Sequence, residues 1–336
     1  MSDAAMVSQE FATPTYKDRS GGLVVFGVLE ILAGGFCALC VPLSVLAMAA
    51  AVAAPGDVGF TPRMMVPNMI IFGVMAVALI WLGIGSLRAR RWARALWLVI
   101  GWIGLVSGVL GLVYWGAFMG DVFEHVSEID PNVPAGFASI LQIIMTGFMV
   151  IFYIVIPLVL VLFYGGRNVK ATCEARDPTP RWTDRRPLPV LALSVLFFGG
   201  ALCMTMMASY DFLFPWFGAF ISGRAGMAAT AVVCATMFYV SWGCYRLQPA
   251  AWLLGIVLVA VMGCSGVMTM VSTDLIEMYR KMGFPEQQLD MLESMQLPEG
   301  KVMGLWTGAS AGLFLLYMLC TGRYFLGRGA ASDEAA

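Results

Sequence analysis

GGRNVKATCEARDPTPRWTDRRPLP, residues Gly165–Pro189, decides how the rest of the chain is read. It is a net basic, polar interruption near the middle of 336 residues, and four strongly apolar segments lie on each side of it. Pro178, Pro180 and Pro187 keep it from continuing either flanking helix, because proline lacks the N–H that a helix interior needs. The surrounding composition is 60% hydrophobic and only 12% charged. Soluble domains carry about 25% charged residues, so this chain belongs to the membrane class and its natural unit is a span of about 20 apolar residues.

Working outward from the central stretch, spans are expected at about 139–164, 92–119 and 66–87, and beyond them in the run Gly21–Ala54. That first run is much longer than the roughly 7–15 apolar residues of a signal peptide, so it reads as a retained helix. On the other side, spans are expected at about 188–209, 226–247, 250–272 and 303–326. The aromatic patch FLFPWFGAFI (Phe212–Ile221) is too short to span, and aromatic residues favour the membrane interface. The eight cysteines avoid the loops assigned to the outside, which argues against a disulfide framework.

Lysine and arginine set the orientation. With the N-terminus inside, fifteen of the twenty fall on the inner side, including Arg88, Arg90, Arg91, Arg94 and the cluster of the central stretch. Arg63, Arg224, Arg280, Lys281 and Lys301 fall outside. Both termini are therefore expected to be cytoplasmic.

The two halves also match internally. Gly34-Gly35 corresponds to Gly199-Gly200, Arg88 to Arg246, Ser107-Gly108-Val109 to Ser265-Gly266-Val267, and Gly166-Arg167 to Gly322-Arg323. Four spans per half is an even number, so the halves point the same way through the membrane. The expected fold is all-α transmembrane, eight helices as two parallel four-helix repeats. The expected organisation is a tail over 1–20, a first repeat over 21–166, a linker over 167–187, a second repeat over 188–326 and a tail over 327–336. In each half the loop between the third and fourth spans is acidic, and Pro285 followed by EQQLDMLESMQ suits a short amphipathic helix.

Glu30 is the one ionisable residue well inside a span, about 13 Å from its start. A carboxylate at the centre of a bilayer costs about 2.5–3.5 kcal/mol or more, so Glu30 must face the protein interior or a cavity. It reads either as a proton- or cation-coupling site or as a structural carboxyl bonded to a neighbouring helix; its counterpart in the second half is Val195. Cys37 and Cys40 form a C-x-x-C inside the first span with no outer cysteine pair to exchange with, which favours small-residue helix packing. Asp121, Glu124, His125 and Glu128 share one face if their loop is helical, an arrangement that suits a solvated acidic face better than a metal site in a chain with one histidine. Cys203, Met204, Met206, Met207, Met268 and Met270 would suit Cu(I), but methionine also fills gaps in apolar packing. Arg88, Arg90, Arg91 and Arg94, interleaved with Trp92 and Trp97, read as a topological anchor. The known nucleotide and hydrolase motifs are missing, so no cofactor, metal or catalytic residue is expected.

GGRNVKATCEARDPTPRWTDRRPLP, together with LRARRWARAL at the first inner turn, resembles stretches of uncharacterised bacterial multi-pass integral membrane proteins. That resemblance implies a bacterial origin and no particular activity. The function expected is that of a non-enzymatic scaffold, sensor or accessory subunit of the inner membrane. The alternative is a transporter of a small solute or ion with Glu30 as its coupling residue. The expected partners are the lipid bilayer and a membrane or cytoplasmic protein, not nucleic acid, with Lys170, Arg176, Arg181, Arg185 and Arg186 as the candidate lipid or partner contacts.

Overall fold

A computed structural model describes residues 16–53, 62–129, 136–294 and 299–327. The first half holds α1 (Ser20–Ala53), α2 (Pro62–Leu87), α3 (Arg91–Ile129) and α4 (Phe137–Val150), which continues through the π-helical residues Ile151–Val155 into α5 (Ile156–Gly165). The linker contains α6 (Arg167–Arg176). The second half holds α7 (Leu188–Met204), α8 (Gly223–Tyr245), α9 (Pro249–Ser272), the short α10 (Leu275–Lys281) and α11 (Glu286–Ser294), then α12 (Gly300–Thr321) and α13 (Arg323–Leu326). Among the described residues, eight helices are long and apolar enough to cross a membrane, where the sequence places them. In a bilayer only intra-segment hydrogen bonding satisfies the backbone, which is why these apolar runs are helical. The side chains point outward over most of their area: large apolar residues such as Phe36, Leu46, Val77 and Ile143 are well exposed, as lipid-facing residues are.

Consecutive spans pack as antiparallel pairs: α1 with α2, α3 with α4–α5, α7 with α8, and α9 with α12. The fourth span shows how one such pair is built. Pro157 has no N–H to give to the carbonyl of Tyr153, and the helix widens into its π turn at that point. The orphaned carbonyl rests on Gly108 of α3, where an added Cβ would collide with it. The two halves meet where Ala95 and Val99 of α3 pack on Leu191 of α7, and again where Tyr114 of α3 approaches Met303 and Trp306 of α12.

The turns after α2 and α8 share one geometry. Ala89 (φ 48°) and Leu247 (φ 60°) adopt the left-handed conformation. Ala89 N–H bonds Ser86 O and Arg90 N–H bonds Gly85 O; likewise Leu247 N–H bonds Cys244 O and Gln248 N–H bonds Gly243 O. This is the Schellman arrangement, which ends a helix by satisfying its last carbonyls. In both turns the glycine three residues from the end leaves room for an alanine of the next helix, Ala93 over Gly85 and Ala251 over Gly243.

Among the described residues, the one departure from an all-α chain is the aromatic patch. Phe214–Trp216 and Ala219–Ile221 pair antiparallel around Phe217 (φ 41°) and Gly218 (φ 96°), the positive-φ pair of a tight hairpin turn. The hairpin lies on α9: Phe217 N–H donates to Ser265 Oγ at 3.0 Å, Gly218 N–H to Thr269 Oγ1 at 3.1 Å, and Ser265 O–H to Pro215 O at 2.9 Å. Hydroxyls thus satisfy turn N–H groups that an apolar setting leaves no water to meet. Trp216 and Phe217 remain exposed at the tip.

Replacing Gly108 by Ala should therefore destabilise the bundle by about 1–3 kcal/mol, the usual cost of overpacking. Gly111→Ala, at a site with open space, should change stability by less than about 0.5 kcal/mol. Thermal unfolding of the two variants in detergent compares them directly.

Candidate functional site: the buried carboxyl at the linker end

Glu30 is 6% exposed and faces inward from α1. Tyr164, at the end of α5 and fully buried, donates its hydroxyl to Glu30 Oε1 at 2.7 Å. The hydroxyl of Ser86, in the last turn of α2, lies 2.8 Å from that of Tyr164. With the Tyr164 proton given to Glu30, Ser86 is the donor in this second bond. Trp97 of α3 stacks against Tyr164 with ring centroids 6.3 Å apart and lies close enough to interact with the Glu30 carboxyl. All four spans of the first half thus send a side chain to one point.

Small residues and aromatics shape this point. An added Cβ on Gly83 would meet Gly27 O and the Glu30 Cβ, so that glycine lets α1 and α2 approach at the level of the carboxyl. One turn before Glu30, Phe26 stacks on Phe163 at 4.3 Å and meets Tyr164 edge-on. Leu23, Leu82 and Leu160 complete the apolar wall, with Val169 and Cys173 of α6 above it. Ser86 and Tyr164 are the penultimate residues of their helices. Glu30 therefore sits level with the linker ends of α2 and α5, although it lies ten residues into α1. The first turns of α1 run on past those ends and pack beside α6, where Arg19 N–H bonds Thr172 Oγ1 at 3.1 Å. Counting residues from the start of the apolar run places Glu30 deeper than its neighbours do.

Chemically the node is a chain of two hydroxyls ending on a carboxyl. Glu30 Oε2 and Trp97 Nε1 are both buried without a hydrogen-bond partner. As a cation site it is poor, since hard cations take six or more oxygens and one carboxyl with two hydroxyls supplies fewer. Among the described residues there is no group of three or more His, Cys, Asp or Glu side chains placed to hold a metal.

The linker folds over this end of the bundle. Gly166 (ψ 135°) breaks the chain out of α5, and α6 follows immediately. Pro178 then ends α6 by forcing Asp177 out of helical geometry, as the residue before proline usually is. Asp177 is 2% exposed by side chain and accepts from Arg181 Nη2 at 2.6 Å and Nε at 2.9 Å, with Arg90 Nη1 at 3.4 Å. Arg91 bridges to Glu174 at 3.0 Å and to Asp184 at 3.5 Å. Arg90 and Arg91, at the turn after α2, are thus engaged by the acids of the linker, partners that lie more than eighty residues away in sequence. Hydrogen bonds from Arg181 hold the Asp177 carboxyl below the usual carboxylate range, and burial pushes the Cys173 thiol up to about 11.

Of the five basic residues singled out in the linker, Arg181 is committed to Asp177. Arg176 meets Asp18 at 3.5 Å, Lys170 lies 3.9 Å from Glu174, and Arg186 sits over the Tyr245 ring at 5.3 Å. Arg185 is exposed. Cys37 and Cys40 are half-buried free cysteines within the continuous α1. Asp121, Glu124, His125 and Glu128 fall on the last turns of α3, with side chains outside the described residues. Met270 packs under the hairpin with Leu213, Leu275 and Met278, a core role. The helix expected after Pro285 is α11, with Leu289 buried.

Comparison with protein-family models, with characterised proteins and with solved structures finds no match for this chain.

Tyr164→Phe strands a buried acceptor and the Ser86 hydroxyl, and should cost about 1–3 kcal/mol in detergent unfolding. Glu30→Gln, which keeps the acceptor, should cost less. For the linker, Asp177→Asn should expose the bonds after Arg181 and Arg185 to trypsin, while the unaltered linker resists. Because the folded Asp177 carboxyl is shifted down, its contribution is complete above the ordinary aspartate range near 4 and lost as pH falls through the lower folded value. Trypsin-like nicking is then replaced by an acid-active protease to follow the linker's release on acidification.

Proposed function

We propose that this chain is a non-enzymatic scaffold, sensor or accessory subunit of the bacterial cytoplasmic membrane, with both termini and the linker on the cytoplasmic side. The observation that carries this reading is the dispersal of polar groups within the spans. A transport path needs several of them converging at mid-membrane. Here Ser194 and Ser241 exchange hydroxyl-to-carbonyl bonds between α7 and α8. Ser265 and Thr269 serve the hairpin, and Thr146 accepts from Trp115 Nε1 at 2.9 Å. Each is used up by a neighbouring helix or by the hairpin, which leaves the lipid-facing surface as the larger resource for function.

The cytoplasmic assignment rests on the arginine and lysine distribution, fifteen inner to five outer. The two-repeat architecture, with the halves parallel across the membrane, is supported by the same pairing of consecutive spans in each half and by the shared turn geometry at Ala89 and Leu247. Gly166 and Gly322 also precede equivalent short helices, α6 and α13. The equivalence shifts by one residue in places: in α1 the first glycine of Gly34-Gly35 packs on α2, while in α7 it is the second of Gly199-Gly200 that meets Met237.

Proton-coupled transport of a small solute is the second reading, favoured by the unpartnered Glu30 Oε2 at the end of a hydroxyl chain. Purification in mild detergent followed by mass spectrometry is expected to return a stoichiometric membrane or cytoplasmic protein, and the purified chain in liposomes is expected to support no proton or solute flux. Flux that Glu30→Gln abolishes would decide for transport instead.

A further inference from the structure

A groove of about 490 Å3 opens between the start of α1 and the junction of α5 with α6. Its lining divides by chemistry. Arg19, Arg167 and Asn168 line one part, and Phe26, Val159 and Leu162 line another. Arg19 directly precedes the first span and Arg167 lies two residues beyond the fourth, so the polar part stands at the edge of the apolar zone. Val159 and Leu162 are exposed and continue down the lipid-facing side of α5.

Three features give the polar part its sign. Neither Arg19 nor Arg167 has an ion-pair partner among the described residues, whereas Arg90, Arg91, Arg176 and Arg181 all do. The acid nearest in sequence, Asp18, is already bonded to Ser20 and to Arg176. The first turn of α6 also opens here, with Gly166 as its cap and no side chain bonded to its free N–H groups. Those groups and the helix dipole favour negative charge. Two free guanidinium groups and a helix start above an apolar, lipid-facing wall match one kind of molecule: a phosphate with acyl chains attached.

We propose that this groove binds the headgroup of an anionic phospholipid, with Arg19, Arg167 and the start of α6 holding the phosphate and an acyl chain lying over Phe26, Val159 and Leu162. The site uses Arg19 and Arg167 and none of Lys170, Arg176, Arg181, Arg185 and Arg186, and it does not depend on whether the protein is an accessory subunit or a transporter.

Native mass spectrometry of the purified full chain, titrated with phosphatidylglycerol, tests this. Wild-type protein should bind phosphatidylglycerol in preference to phosphatidylcholine, and millimolar inorganic phosphate should not displace it. Arg19→Gln combined with Arg167→Gln should weaken phosphatidylglycerol binding about thirty-fold, as expected for two basic residues at a membrane surface, and leave phosphatidylcholine binding unchanged. Each single variant should lose about five-fold, so the singles decide if the double variant does not fold. Lys170→Gln combined with Arg176→Gln should have little effect. Equal phosphatidylglycerol affinity in wild type and the Arg19 and Arg167 variants would overturn the proposal. An equal loss in the Lys170 and Arg176 variant would overturn the groove assignment, and displacement by inorganic phosphate would make it a free-phosphate site.

Discussion

The hydrogen bond from Tyr164 to Glu30 is the constraint around which the first half of this protein is arranged. A carboxyl placed among apolar helices has no water to turn to, and an unmet polar group there costs several kcal/mol. The chain meets one carboxyl oxygen with the Tyr164 hydroxyl of α5, which Ser86 of α2 bonds in turn and against which the Trp97 ring of α3 stacks. Other local features serve that convergence. Gly83 lets α1 and α2 approach beside the carboxyl, the phenylalanine pair Phe26 and Phe163 walls it, and α6 covers it with Val169 and Cys173.

The second half solves the same packing problem without charge. Val195 of α7 is a partly buried apolar residue against Ala95, Val99 and Leu191. Gly255 of α9 lets its neighbours close in, and the ring of Phe197 comes within 3.2 Å of where its Cβ would be. Trp252 stacks on Phe325 and gives its N–H to Met318 O at 3.0 Å. The first half is therefore joined at a buried carboxyl, and the second by an apolar core whose helices are linked by neutral bonds, the Trp252 indole to Met318 O and the paired hydroxyls of Ser194 and Ser241.

Much of the architecture is legible in the sequence, because a bilayer writes its demands as runs of about 20 apolar residues. The eight spans and the helix after Pro285 follow from composition and local pattern. The partners of Glu30 were not legible, since Tyr164 lies 134 residues away and nothing local links the two. The hairpin was missed for a different reason: Phe217-Gly218 is a weak turn signal, and its anchors Ser265 and Thr269 read as ordinary polar residues of a span. In the linker, the prolines drew attention as helix breakers while Gly166 made the break after α5, and the run Arg167–Arg176 between them is helical.

The central claim is that Glu30 and Tyr164 act as one unit, which a double-mutant cycle in detergent measures directly. Unfolding free energies of wild type, Glu30→Leu, Tyr164→Phe and the double variant should reveal a coupling of about 1–3 kcal/mol, with the double variant less damaged than the sum of the singles. Additivity within about 0.5 kcal/mol would contradict the account, because the two residues would then contribute independently.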